Sequence, residues 1–273
     1  MPPAAARAGQ ELIQNGFARL PLAEPSARPL NEALARSRTF FARPAEDKAR
    51  HSTADLNFGY RPLGHEYSIS ADRPDLNECF TLWSDRVDTI PAAADVGDLT
   101  AALLAWRAEL VPLVAEVIGE LARYFSGGHP PDFAAASYLQ VNGYVRDDSG
   151  RDLLQDRHED GHLLTVIHAT APGLEVFPGP ADDPEPADLG PGEILVMPGS
   201  VLTDLTGGKI APLYHQVRNH RLAGRLSLMY FVNPEVAEPL YPWVGSAEEL
   251  RTDLRERVMS RPAMFGLPDV PVL

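Results

Sequence analysis

Among 273 residues there is one cysteine, Cys79. No intramolecular disulfide can form, so a reducing compartment, the cytoplasm, is the expected setting. Long hydrophobic runs are missing as well. No stretch reaches the length of a membrane span, and the opening MPPAAARAGQELIQNG has no apolar signal-peptide core. Basic residues are scarce: 24 Lys and Arg face 38 Asp and Glu, a formal net charge of −14. Nucleic acid and anionic membranes are therefore excluded as expected partners, and an anionic ligand would need a local basic pocket. What remains is an ordinary globular composition, 44% hydrophobic, long enough to bury a large core in a single domain.

The pattern of apolar residues changes along the chain. Residues 1–15 are Ala-rich and could fray or form a short helix, and Gly16–Leu20 reads as a strand. Leu30–Phe41 reads as a helix and Pro44–Arg50 as a short one with Pro at its start. Gly59–Gly64 reads as loop and Asn77–Trp83 as a strand. Over Asp98–Phe125, Leu99, Leu103, Trp106, Leu110, Leu113, Val117 and Leu121 recur at steps of three and four, which predicts a helix kinked at Pro112. Beyond Gly127–Pro131, β-prone runs alternate with Gly and Pro: Ser137–Val141, Leu163–His168, Leu174–Phe177, Ile194–Met197, Tyr214–Val217 and Arg225–Val232. Such punctuation favours an antiparallel sandwich or barrel. Ala247–Arg257 reads as a helix. The expected organisation is one domain: a mainly helical part over 1–130, a β core over 131–235, and a C-terminal helix and tail over 236–273.

Four residues carry the chemistry: His158 and Asp160 as H-x-D, a distant His215, and Arg225 within R-x-S. Two imidazoles and a carboxylate form the facial ligand set of a non-haem Fe(II) oxygenase, with metal positions left open. The arginine supplies a fixed cation for the far carboxylate of a keto-acid cosubstrate. In extended chain, i and i+2 point the same way, so His158 and Asp160 converge while Glu159 points away. The same segment also reads H-E-x-x-H, and His168 falls where a zinc peptidase could place a third ligand. That reading needs His158 and His162 on one helical face with Glu159 as base. Asp160 and Gly161 sit in the middle of the would-be helix, a β-prone Leu163–Ile167 follows it, and nothing in it explains His215 or Arg225. His162 and His168 are expected as packed or hydrogen-bonded barrel residues; His51, His65, His129 and His220 as surface or loop.

These residues resemble the isopenicillin N synthase-like family of Fe(II)- and 2-oxoglutarate-dependent dioxygenases. The likeness covers most of the chain. The segment 158–167 (HEDGHLLTVI) is similar to that family's ligand strand, and Arg225–Pro234 fits R-x-S-x-x-x-F-x-x-P throughout. Asn142-Gly-Tyr144 resembles N-x-Y, Pro191-Gly-Glu-Ile resembles a strand-opening segment, and Gly59-Tyr60 and Asp75, Glu78 and Phe80 resemble upstream landmarks. Thr206–Val217 departs from the family pattern before and just after the second histidine, yet keeps His215 itself.

The resemblance implies a mixed α/β fold with a mainly antiparallel core, a double-stranded β-helix or jelly roll flanked by N-terminal helices and a C-terminal helix. It implies Fe(II) held by His158, Asp160 and His215, with O2 and 2-oxoglutarate as cosubstrates. Arg225 and Ser227 would meet the C5 carboxylate, and Asn142 and Tyr144 would add hydrogen bonds. Retention of the Asp160 carboxylate favours hydroxylation, desaturation or ring chemistry on a small metabolite over halogenation. Gln140, Asn233 and Tyr67 are candidate substrate contacts, with Phe231 and the C-terminal tail behind them. Arg146 and Arg157 could meet an acidic substrate or simply be solvated. Three other readings stay open: an iron oxidase of the same fold that does not use 2-oxoglutarate, the zinc peptidase, and a non-catalytic jelly-roll binding protein.

Overall fold

The computed structural model describes residues 4–84, 86–125, 130–179, 183–235, 239–244 and 252–265. In chain order, helix α1 (Ala4–Asn15) leads into β1 (Ala18–Pro21), α2 (Glu24–Phe41), α3 (Ala45–Ala49), β2 (Gly59–Arg61) and β3 (Asn77–Trp83). Helix α4 (Gly97–Tyr124) precedes the core strands: β4 (Tyr138–Tyr144), β5 (Leu153–His158), β6 (Leu164–Ala169), β7 (Leu174–Phe177), β8 (Glu185–Pro186) and β9 (Glu193–Pro198). Helix α5 (Ser200–Leu205), β10 (Tyr214–Arg218), β11 (Arg225–Val232) and α6 (Leu254–Ser260) complete the set.

All strand pairs are antiparallel and form two sheets. The major sheet has the order β1-β9-β6-β11-β4-β3-β2, and the minor sheet the order β5-β10-β7-β8. Successive residues of a strand point to opposite faces, and that alternation sorts the major sheet. Leu226, Leu228, Tyr230 and Val232 of β11 join Leu139 and Val141 of β4, Leu164 and Val166 of β6, and Ile194 and Val196 of β9 in one hydrophobic cluster. The apolar faces of α1, α2 and α4 belong to that cluster too. Their neighbours Met229, Phe231, Tyr138, Ile167, Leu195 and Met197 form a second cluster with Leu174 and Val176 of the minor sheet. The space between the sheets is therefore the inside of a double-stranded β-helix, and the helices cover one outer face. No helix among the described residues is long and apolar enough to cross a membrane.

Local differences from the sequence expectations have local causes. Helix α2 begins at Glu24 rather than Leu30, because a Pro at the first helical positions gives up an N–H that would have no partner anyway. Helix α4 runs unbroken through Pro112, which lies on its exposed side, and buries Val114 in place of Leu113. Gly59–Arg61, expected as loop, pairs with β3. His51, expected as surface or loop, lies in a turn but is buried, with Nδ1 donating to the Pro91 carbonyl at 3.1 Å. Helix α6 starts after Asp253, whose carboxylate accepts the Glu256 N–H; residues 247–251 of the predicted Ala247–Arg257 helix, and His129, lie outside the described residues.

Helix α5 was not foreseen, and it fixes the turn between β5 and β6. Its Ser200 and Val201 N–H groups donate to the carbonyls of Asp160 at 2.9 Å and His162 at 3.2 Å. Arg257 of α6 anchors α5 in turn, bonding Ser200 Oγ at 2.7 Å and pairing with Asp204. Gly199 makes this approach possible: a Cβ there would lie 2.1 Å from the His162 carbonyl oxygen and 2.9 Å from that of Asp160. We predict that Gly199→Ala displaces the turn carrying Asp160 and costs about 1–3 kcal/mol, lowering the melting temperature by about 3–10 °C. Thermal unfolding followed by circular dichroism measures it, and an unchanged melting temperature would refute so close a packing.

Candidate metal centre and cosubstrate site

His158 ends β5, and His215 lies in β10 directly opposite it in the antiparallel register. Cross-strand partners project to the same face, which brings the two rings to a centroid separation of 4.3 Å. Asp160, on the turn held by α5, completes the group. Its Oδ1 lies 3.8 Å from His158 Nε2 and 3.9 Å from His215 Nε2. One ligand atom from each of the three falls within 4.8 Å of the others, and among the described residues no other such group of His, Cys, Asp and Glu exists.

The hydrogen bonds prepare these atoms for a metal. His158 Nδ1 faces the Asp156 carbonyl at 2.7 Å and His215 Nδ1 faces that of Leu213 at 3.1 Å. A carbonyl can only accept, so each Nδ1 donates and each Nε2 keeps its lone pair free. Thr165 Oγ1 donates to Asp160 Oδ2 at 2.5 Å, leaving Oδ1 for the centre. Burial pushes the His158 imidazole below its usual range, and neighbouring His215 adds to this. Burial opposes ionisation of Asp160, but His215, His162, His158 and the Thr165 hydroxyl outweigh it and hold the carboxyl low. A neutral imidazole beside an ionised carboxylate is the protonation pattern that a divalent cation requires. The donor set of two nitrogens and one carboxylate oxygen on one side fits Fe(II) with open positions.

His162 and His168 stand apart from this group. His162 Nδ1 donates to Asn233 Oδ1 at 2.9 Å, and its ring packs on Phe231. His168 lies in β6 with Nδ1 on the Glu193 carbonyl at 2.7 Å. Residues 158–162 are a strand end and a turn, so the helical face that a zinc peptidase needs does not form. Glu159, on the outside of the turn, meets Tyr214.

Arg225 begins β11 opposite Tyr144 of β4, and Ser227 stands opposite Asn142. The Arg225 side chain is 2% exposed. Its Nη1 donates to Ser227 Oγ at 2.8 Å and its Nε to the Pro172 carbonyl at 3.2 Å, while Nη2 has no hydrogen-bond partner. The guanidinium carbon lies 4.6 Å from the centre of the Tyr144 ring. Burial drives this guanidinium below its ordinary range, against a partial offset from Tyr144 and then Asp188. A buried cation with a free donor and no carboxylate in hydrogen-bond contact can take an anion. The residues fit an acidic cosubstrate placed between Arg225 and the triad.

A cavity adjoins the triad and reaches Tyr144 and Asn142, the cross-strand partners of Arg225 and Ser227, which do not line it themselves. Its wall includes all three triad residues, Asn142, Tyr144, Gln140, Tyr67 and Phe231. Gln140 Nε2 donates to Asn142 Oδ1 at 2.9 Å and to Glu66 Oε1 at 2.7 Å. Asn233 does not line the cavity but stands behind His162. Arg146 is exposed and paired with Asp148, and Arg157 lies against the rings of Phe177 and Tyr214; neither lines the cavity. The sequence reading missed Glu66, Ser68, Asp75, Gln155, Met197 and Met229 on the wall. Met229 was within reach of strand alternation, two places beyond Ser227. Glu66 and Ser68 come from an irregular stretch with no periodicity to read.

No family model matches the chain. A 2-oxoglutarate-dependent dioxygenase of Gibberella zeae is 22% identical over 249 residues, covering 86% of this chain and 73% of that protein. Among solved structures, a protein of Caulobacter crescentus assigned to the 2OG-Fe(II) oxygenase family superposes with a TM-score of 0.74 at 19% identity, over 94% of this chain and 93% of that one. A full-length protein of Neurospora crassa, solved in complex with α-ketoglutarate, gives a TM-score of 0.73 at 17% identity, over 94% and 90% of the two chains. The chain has the double-stranded β-helix of the Fe(II)- and 2-oxoglutarate-dependent oxygenases and is a relative of the 2-oxoglutarate-dependent dioxygenases.

Proposed function

We propose that this chain is an Fe(II)- and 2-oxoglutarate-dependent oxygenase that hydroxylates or desaturates a small molecule, and that its 273 residues act as one domain. The observation that carries the reading is the convergence of His158, Asp160 and His215 on a cavity whose Tyr144 and Asn142 are the cross-strand partners of a buried, under-paired Arg225 and of Ser227. A binding protein or a structural metal site needs no such cation. An oxidase that dispenses with 2-oxoglutarate would leave Arg225 buried without a counter-charge, which is costly. The helical and sheet parts share one hydrophobic cluster, which supports a single domain.

When bound, Fe(II) with 2-oxoglutarate and O2 supplies the oxidation, converting the keto acid to succinate and CO2 while an unactivated C–H bond is oxidised. The protein's part is orientation and exclusion of water. His158, Asp160 and His215 would hold the metal and leave positions open for the cosubstrate and O2. Arg225 pairs with the C5 carboxylate through its planar fork, helped by the Ser227 hydroxyl, while Asn142 and Tyr144 fix the chain between the two ends. Met197, Met229, Ile167 and Phe231 give the remaining wall an apolar surface that shields the reacting bond from solvent.

Replacing any triad residue removes a ligand that nothing nearby can supply. His158→Ala, Asp160→Ala and His215→Ala are each predicted to abolish 2-oxoglutarate turnover, whereas His162→Ala and His168→Ala keep Fe(II) binding. Anaerobic Fe(II) titration decides it: loss of metal in His162→Ala alongside retention in His215→Ala would overturn the ligand assignment.

Arg225→Ala leaves a buried carboxylate without its partner, a loss of about 3–5 kcal/mol. The 2-oxoglutarate needed for half-saturation should rise about a hundredfold or more, with Fe(II) binding unchanged. The weak visible band of the anaerobic Fe(II)–keto-acid chelate reads this directly. No band in the unsubstituted protein, or the same midpoint in the variant, would refute the 2-oxoglutarate reading.

A further inference from the structure

One wall of the cavity is acidic and holds no cation. Glu66, Ser68 and Asp75 stand beside His158 on it, and no Lys or Arg is among the described lining residues. The two carboxylates differ in how they are satisfied. Glu66 accepts from Gln140 Nε2 at 2.7 Å and Asn77 Nδ2 at 2.9 Å, and lies 3.6 Å from Arg61. Asp75 is 1% exposed, and one of its oxygens, Oδ2, accepts from Ser68 Oγ at 2.8 Å. The other, Oδ1, is buried without any hydrogen-bond partner. Two arginines of this region pair with Asp156 rather than Asp75, Arg73 at 2.7 Å and Arg151 at 3.7 Å.

A buried carboxylate oxygen without a donor is costly, and native proteins keep few of them. Here burial raises the Asp75 carboxyl to about 7. The cost is relieved if the cavity's occupant brings the donor. Ile167, Met197, Met229 and Phe231 give the wall an apolar part, beside the neutral polar side chains of Gln140, Gln155 and Thr165.

We propose that Asp75, oriented by Ser68, is a specificity-determining residue that binds a protonated amine on an otherwise largely apolar small-molecule substrate. The assignment rests on the oxygenase reading above and deepens it, since the metal and cosubstrate groups occupy the same cavity. An anionic substrate meets Glu66 and Asp75 as repulsion and is rejected; an alcohol of the same shape gains a hydrogen bond but no charge pairing. Ser68 holds Oδ2 and so leaves Oδ1 directed to the occupant.

The test is a matched trio, phenethylamine, phenethyl alcohol and phenylacetate, titrated calorimetrically into the full chain with Fe(II) and 2-oxoglutarate under anaerobic conditions. The amine should bind at least about tenfold more tightly than the alcohol, and the carboxylate should bind most weakly. In Asp75→Asn, which keeps shape and removes charge, amine and alcohol should bind within about twofold of each other, with the 2-oxoglutarate chelate band intact as evidence of folding. Ser68→Ala should weaken the amine alone, which keeps the test available if the Asn variant does not fold. The proposal is overturned if alcohol or carboxylate equals the amine, if no member of the trio binds, or if a folded variant keeps the amine preference. Absence of the chelate band in the unsubstituted protein sinks the oxygenase reading instead, and the calorimetric ranking is read independently of it.

Discussion

The two-residue alternation of the major sheet is the constraint on which everything else depends. One set of positions must satisfy the helices and the other must build a cavity. On β11, Leu226, Leu228, Tyr230 and Val232 face the helical layer, while Arg225, Ser227, Met229 and Phe231 take the alternate positions. A register slip of one residue would exchange the two sets, burying the arginine against α2 and turning leucines toward the metal ligands. The functional residues are thus held in place by the packing of their own neighbours. Apolar burial on the helical side is what makes the polar side rigid.

The minor sheet contributes something different. It places two histidines opposite one another in a single antiparallel pair, and their separation is set by strand geometry rather than by side-chain reach. Asp160 cannot come from the same ladder, because β5 ends at His158. It sits on a turn whose carbonyls are tied to the first N–H groups of α5, and α5 is tied in turn to Arg257 of α6. One ligand therefore depends on contacts that reach the C-terminal part of the chain. The two histidines depend only on the core.

The sequence disclosed most where a period or an order of residues carried information. Strands β3, β7 and β11 were readable to the residue, and α4 nearly so, because alternation and the three-and-four spacing survive in a single sequence. The triad and Arg225 stood out because their chemistry is unusual in combination, and the fold brings the three triad residues together. Tertiary contacts carried the rest. Helix α5 is six residues long and gains its stability from Arg257 and the β5–β6 turn, so SVLTDL has no helical signature of its own. The burial of His51 follows from a backbone carbonyl 40 residues away at Pro91. Glu66, Ser68 and Asp75 lie on a segment without regular structure, and only folding brings them beside His158.

The electrostatic layout of the cavity follows from the same division of labour. The chain carries a net charge of −14, yet the cosubstrate site requires a cation in the interior. Arg225 answers this by being buried where solvent cannot screen it and where most of its donors are already oriented. Two pairings in this part of the fold are left unfinished: a buried guanidinium nitrogen of Arg225, beside Tyr144, without an acceptor, and a carboxylate oxygen of the cavity-lining Asp75 without a donor. A keto diacid can complete only the first pairing and an amine only the second, so the two ligands cannot exchange places without each meeting its own charge.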